Sequence, residues 1–155
     1  MNMALTVIED EAQLQALVGK TVAISEWLTV TQDRINLFAD ATDDHQWIHV
    51  DPVKAKTQSP FQTTIAHGFL SLSIISGLMA SSIKVKHAAM GINYGLNKVR
   101  FPEVVTVNSQ IRAHFVLQAL EKQADNSVQL TWHVTVEKLG ATKPCMVAEW
   151  LTRFY

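Results

Sequence analysis

The 155-residue sequence predicts an α+β fold in which an antiparallel β-sheet wraps around a central apolar helix. Two observations carry this. Three segments of the second half, 107–119, 128–136 and 146–154, alternate apolar and polar residues, the period of a strand with one buried face. Ahead of them, residues 67–83 (HGFLSLSIISGLMASSI) are apolar round most of a helical circumference, with Ser, Gly and Ala between, as expected of a buried helix. A sheet that hides one face on such a helix belongs to the α+β class.

Each element has its own local cause. Residues 10–18 (DEAQLQALV) read as a short helix stopped by Gly19, and 21–30 (TVAISEWLTV), rich in β-branched residues, as a strand. A second helix starts with Thr31 as N-cap and Asp33 in the first turn, where the helix dipole favours negative charge. It turns Ile35, Phe38, Ala39 and then Ala41 or Thr42 inward. It leads into DDHQWIHVD (43–51), whose Trp47, Ile48, His49 and Val50 read as extended. Asp51 before Pro52 forms an N-cap and N1 pair for a short helix. SPFQTTIA is a loop before the apolar helix, and MGINYGLNKVRFP after it is extended. The meander follows. Val107, Ser109, Ile111, Ala113, Phe115, Leu117 and Ala119 line one face of its first strand, and Val128, Leu130, Trp132, Val134 and Val136 that of the second. Met146, Ala148, Trp150, Thr152 and Phe154 line the third, while Asp125 and Asn126 lie in a turn. No repeat or long linker divides the chain, so residues 1–155 read as one domain. A sheet wrapped round its helix in this way is the hotdog arrangement, in which edge strands and apolar excess make a dimer natural.

Bulk properties narrow the function. Hydrophobic residues make up 48% and charged residues 17%, with a net charge of −1, enough apolar surface for a core and a subunit interface. The sequence has no basic run, which argues against nucleic-acid binding by phosphate neutralisation. The single cysteine, Cys145, excludes an internal disulfide and a multi-Cys zinc site, and fits a reducing cytoplasm. The stretch MNMALTVIEDEAQ has neither a basic start nor a long apolar run and reads as no secretory signal. Residues 57–83 contain no Asp, Glu, Lys or Arg. Pro60, His67, Gly68, Gly77 and many hydroxyl residues break this stretch up, short of the ~20 predominantly apolar residues that a span needs.

Three features could carry chemistry. Asp44 and His49, five apart after a helix, can converge on one water and polarise it; taken alone, such a pair more often caps a turn and packs. Gly68 falls in the first turn of the apolar helix, where free N–H groups and the helix dipole favour negative charge on a nearby oxygen, an oxyanion hole in kind. In NKVRFPEVV (97–105), Arg100 and Phe101 precede Pro102, which keeps Phe101 extended. A metal reading has less support. His45 and His49 are spaced i, i+4, but no H-E-x-x-H occurs, and His67 or His87 would join only by tertiary coincidence. A nucleophile reading is weak too, since no G-x-S-x-G occurs and Cys145 lies near the final strand.

The three features stand in one order, ATDDHQWIHVDP, IAHGFLSLS, NKVRFPEVV. Together they resemble the MaoC-like dehydratase family, which includes the (R)-specific enoyl-CoA hydratases, and most of all its nodulation-protein-N-like branch. The resemblance implies a dimeric hotdog protein that reversibly adds water to a trans-2-enoyl thioester. No metal or redox cofactor is then required; CoA, or the phosphopantetheine of a carrier protein, enters as part of the substrate. The family motif Asp-x-Asn-Pro-x-His places Asp44 as general base and His49 as the residue that helps bind water and deliver the proton. The matching glycine, Gly68, holds the thioester oxygen. Gln46 and Trp47 replace the family's Asn-Pro, so Trp47 is a candidate for shaping the acyl tunnel, and with Ile48 it is expected to bury Asp44. His67, Phe69, Asn97, Arg100 and Phe101 are the further candidates for substrate binding, and Lys84, Lys86, Lys98 and Arg100 for the phosphates. A hotdog thioesterase and a non-catalytic acyl-binding subunit would share the fold.

Overall fold

A computed structural model describes residues 5–86 and 88–155; the first four residues of the N-terminal stretch, and His87, lie outside them. In chain order the elements are β1 Thr6–Ile8, α1 Glu11–Ala16, β2 Thr21–Ile24, β3 Leu28–Thr29, α2 Gln32–Thr42, α3 Trp47–Val50, α4 Pro52–Gln58, α5 Gly68–Ser82, β4 Ile83–Val85, β5 Gly91–Arg100, β6 Gln110–Lys122, β7 Val128–Lys138 and β8 Met146–Phe154. The main sheet runs β2-β6-β7-β8-β5, with β3 also paired to β6, and every pairing in it is antiparallel. A separate two-stranded parallel pair, β1 with β4, was not legible in the pattern.

The meander forms as the alternation predicts. Ile111, Ala113, Phe115 and Leu117 of β6, Leu130, Trp132, Val134 and Val136 of β7, and Met146, Ala148 and Trp150 of β8 are buried against α5. Two departures occur in the first strand. It begins only at Gln110, so Val107 and Ser109 lie in the turn ahead of it, where Asn108 has positive φ. The second departure lies further along. A bulge between Leu117 and Ala119 shifts the register, so Leu120, not Ala119, sits opposite Leu130 and packs on the core. An extra residue in one strand reverses which side chains face inward beyond it.

Helix caps were also legible. Thr31 accepts from the Arg34 N–H at 3.3 Å, and Asp51 accepts from the Lys54 N–H at 2.9 Å, with Pro52 beginning α4. On α2, Ile35 and Ala39 are buried and Phe38 half-buried, but Ala41 and Thr42 are exposed, because the last turn runs past the sheet into the loop. The apolar helix α5 is buried on one side only. Leu70, Ile74, Ile75, Leu78 and Met79 face the core, whereas Phe69 is 69% exposed and Ser73, Gly77 and Ala80 are exposed as well. The sheet curves round one side of the helix, and among the described residues no element covers the other. None of the helices is long and apolar enough to cross a membrane.

Candidate active site

Three segments meet at the N-terminus of α5. The first is the loop after α2, which turns at Asp43 in the left-handed region (φ 57°) and brings Asp44 forward. The second is Trp47–Val50, which forms a short helical turn rather than the extended run its β-branched residues suggest. Two tertiary bonds hold it coiled: the Ile65 N–H donates to the Ile48 carbonyl at 3.0 Å, and the Gln32 amide donates to the His49 carbonyl at 2.7 Å. Gln32 is fixed in turn by Asn36 and by the hydroxyl of fully buried Thr64. Neither Gln32 nor Thr64 stands out in the sequence, since each is an ordinary polar residue until the fold buries it. The third segment is α5 itself, with His67 as its N-cap residue.

These segments bring Asp44, His49 and His67 together. One ligand atom from each lies within 4.8 Å of the others, a gap that a single water bonded at ~2.8 Å to two of them can bridge. His49 is buried, and its Nδ1 lies 2.6 Å from the Ile65 carbonyl. A carbonyl only accepts, so Nδ1 carries the proton and Nε2 presents a lone pair. The His49 pKa is lowered, chiefly by burial, against the opposing bond to Ile65; the neighbouring His67 also lowers it and Asp44 raises it. The imidazole is therefore neutral at neutral pH. The Asp44 side chain is 54% exposed. The apolar cover expected from Trp47 and Ile48 is thus incomplete in the single chain. The helical turn carries the Trp47 ring towards α4, where the Lys54 ammonium lies 5.0 Å from its centroid.

The N–H groups of Gly68 and Phe69 make no hydrogen bond within the described residues, while the His67 carbonyl accepts from Leu70 and Ser71 in the first turn of α5. These two free donors stand at the positive end of a fifteen-residue helix, an end that favours negative charge. A Cβ added at Gly68 would meet the Phe101 ring at 3.1 Å, so any larger residue here must push that ring back by a few tenths of an ångström. Phe101 in turn stands edge-on to Phe69, with ring centroids 6.3 Å apart.

The remaining candidates are placed less centrally. Asn97 gives its amide to Glu149 across the β5–β8 pair, and Arg100 turns back to the Val99 carbonyl. Lys86 is paired with Glu9 at 2.7 Å, and Lys84 and Lys98 are exposed. His45 bonds Asp40 at 2.8 Å on the surface, which raises its pKa through that hydrogen bond. Burial pushes the Cys145 thiol up to about 11, which leaves it unreactive as a nucleophile. Asp44, His49 and His67 are also the group among the described residues spaced to hold a metal ion. The group offers two acceptor side chains, the Asp44 carboxylate and the neutral His49 ring, close to the free N–H groups of α5.

Fold and site together define a hotdog protein with a carboxylate and two imidazoles gathered at the head of its central helix. The MaoC-like domain model matches residues 13–138, and the chain belongs to that family. It is similar to the 3-hydroxyacyl-thioester dehydratase Z of Mycobacterium tuberculosis, 48% identical over 150 residues, covering 97% of this chain and 99% of that protein. It is also similar to nodulation protein N of Rhizobium leguminosarum bv. viciae, 44% identical over 142 residues, covering 91% of this chain and 88% of that protein. Among solved structures, a monoamine oxidase regulatory protein of Archaeoglobus superposes with TM-score 0.78 at 23% identity, covering 97% of both chains. An (R)-hydratase from A. caviae superposes with TM-score 0.67 at 24% identity, covering 87% of this chain and 94% of that one. These structural likenesses bear out the hotdog fold.

Proposed function

We infer that the chain is a hydro-lyase of acyl thioesters, which interconverts a trans-2-enoyl thioester and the (R)-3-hydroxyacyl thioester. The observation that carries this is the placement of Asp44 and His49 within one water's reach of each other at the open N-terminus of α5. A water between them donates one hydrogen to the carboxylate and one to His49 Nε2, which turns its lone pairs to the substrate. As oxygen bonds to carbon 3, electrons move to the thioester oxygen, where the Gly68 N–H and the helix dipole stabilise the developing charge. Asp44 takes the water's proton, and the pair returns a proton to the α-carbon, so the enzyme ends in its starting state. No step needs a cofactor or a metal; CoA or a carrier phosphopantetheine arrives as part of the substrate.

Further features support this reading. Along α5, Ser76 lies eight residues beyond Gly68, which at 1.5 Å per residue is about 12 Å. There a cavity of about 490 Å³ opens among Ser76, Met79, Ile83, Ile92, Trp132 and Trp150, apolar enough to take an acyl chain. Phe69 and Phe101, beside Gly68, are proposed as the substrate contacts nearer the thioester, and Trp47, Asn97 and Arg100 as contacts further out. The free edge of β5 and the exposed Phe69, Ile92, Leu96 and Phe101 suit a second copy of the chain, because an antiparallel edge pairs with itself about a two-fold axis. One domain over residues 1–155, working in the cytoplasm on a small-molecule thioester, completes the proposal. The test is to mix pure protein with crotonyl-CoA and longer trans-2-enoyl-CoA and to follow the enoyl absorbance. Loss of absorbance that Asp44→Asn and His49→Gln abolish supports the assignment, whereas thiol release without hydration makes the protein a thioesterase.

A further inference from the structure

We propose that His67 is a positioning residue of the hydration site, one that ties Asp44 and His49 to the head of α5 without touching substrate. The proposal rests on the reading of Asp44, His49 and Gly68 given above. The three segments that supply those residues are held to one another at this side chain. His67 Nε2 lies 2.9 Å from the backbone carbonyl of Asp44, to which it must donate, and 3.9 Å from the Asp44 carboxylate. Its ring stacks on His49, with centroids 3.7 Å apart and planes 24° from parallel, and Phe38 of α2 backs it at 5.1 Å. Its own backbone carbonyl closes the first turn of α5, one residue before Gly68.

Asp44 needs such an anchor. It sits in a loop of irregular backbone, with its carboxylate half in solvent, so the carbonyl bond to His67 is what locates it relative to the oxyanion donors. His49 is located three times, through Gln32 on its backbone, through the Ile65 carbonyl at Nδ1 and through the stack on its ring. His67 itself is only 3% exposed, its ring enclosed by His49, Phe38 and the Asp44 backbone, which sets it apart from the exposed Phe69 and Phe101. Its Nδ1 is buried with no partner among the described residues. A buried polar atom left unmet is costly, so a residue that served only as filling would be better as an apolar ring. The polar atom that does have a partner is the one that reaches Asp44.

The test compares variants on the enoyl-CoA that the wild type turns over. His67→Phe keeps a ring on His49 but removes the donor, and His67→Gln keeps a donor but removes the ring. His67→Phe is expected to lower kcat by about tenfold or more with KM within about twofold, since a misplaced catalytic group loses rate rather than binding. His67→Gln is expected to recover about fivefold of that loss through the restored bond, at circular dichroism like that of the wild type. A His67→Phe kcat within about twofold of the wild type, or a loss carried by KM, overturns the proposal. A His67→Gln variant no better than His67→Phe overturns it too. Should His67→Phe not fold, His67→Gln against His67→Met makes the same comparison between two flexible side chains. Asp44→Asn separates the two levels. Full turnover in that variant removes the site reading and the proposal with it, whereas a dead Asp44→Asn beside an unaffected His67→Phe removes the positioning role alone.

Discussion

Along β7, Leu130, Trp132, Val134 and Val136 are wholly buried, while along β5 Ile92, Tyr94 and Leu96 stand exposed, as does Phe69 on the adjoining helix. Both strands belong to one sheet and flank the same partner, β8. The difference lies in what each has on its other side. β7 is enclosed between two neighbours that follow and precede it in sequence, and α5 fills its inner face. β5 is an edge strand, and the helix beside it is covered on one side only. The chain therefore completes its core in the meander and leaves the α5–β5 side open, next to the proposed site at the head of α5. Stability and function accordingly draw on different residues, and substitutions should separate them.

The largest separation is expected between Trp132→Ala and Asp44→Asn. Trp132 is fully buried and donates to the Thr152 hydroxyl at 3.0 Å, so truncation should cost about 3–5 kcal/mol in urea unfolding. Asp44→Asn should leave that unfolding curve in place and lower kcat by about 10²–10⁴-fold, the range for losing a general base. A large stability loss in Asp44→Asn would make that residue structural and erase the contrast. Gly68→Ala should act between these extremes. Its methyl must displace the Phe101 ring, and the shifted oxyanion donor should cost about tenfold in kcat/KM, below the loss for deleting such a donor outright, with little change in unfolding.

His49 adds a dependence on pH. Its pKa is held down, mainly by burial, so the active neutral ring persists below the ordinary imidazole range of about 6.5. The acid limb of kcat/KM should then fall with an apparent pKa below that value. The unfolded chain takes up this proton first as the pH drops, so the same group destabilises the fold on the acid side, from the unfolded pKa downward. An acid limb well above the ordinary range would contradict the burial of His49. The smallest effect on stability is expected for Leu96→Asp at the open edge, within about 0.5 kcal/mol, because the side chain is already exposed in the single chain. Its effect should appear in light scattering, as a fall from dimer to monomer mass.

Much of this was legible in residue order. Period-two alternation survives in any strand with one buried face, which is why β6, β7 and β8 could be read directly. The caps at Thr31 and Asp51 could be read because a side chain bonding its own backbone two or three residues on needs no tertiary partner. Asp44, His49 and Gly68 were legible as a motif. What the sequence could not determine were the outcomes that depend on distant partners. Trp47–Val50 is too short to show a period, and it coils because Ile65 and Gln32 bond its carbonyls. The bulge at Leu117/Ala119 is a property of the strand pair and not of β6. The neutral tautomer of His49 depends on the Ile65 carbonyl, sixteen residues away. The role of His67 depends on a loop twenty-three residues before it. Local chemistry set the elements and the reactive groups. Only the tertiary structure fixed their distances, because those hydrogen bonds and stacked rings join segments that have no contact until the chain has folded.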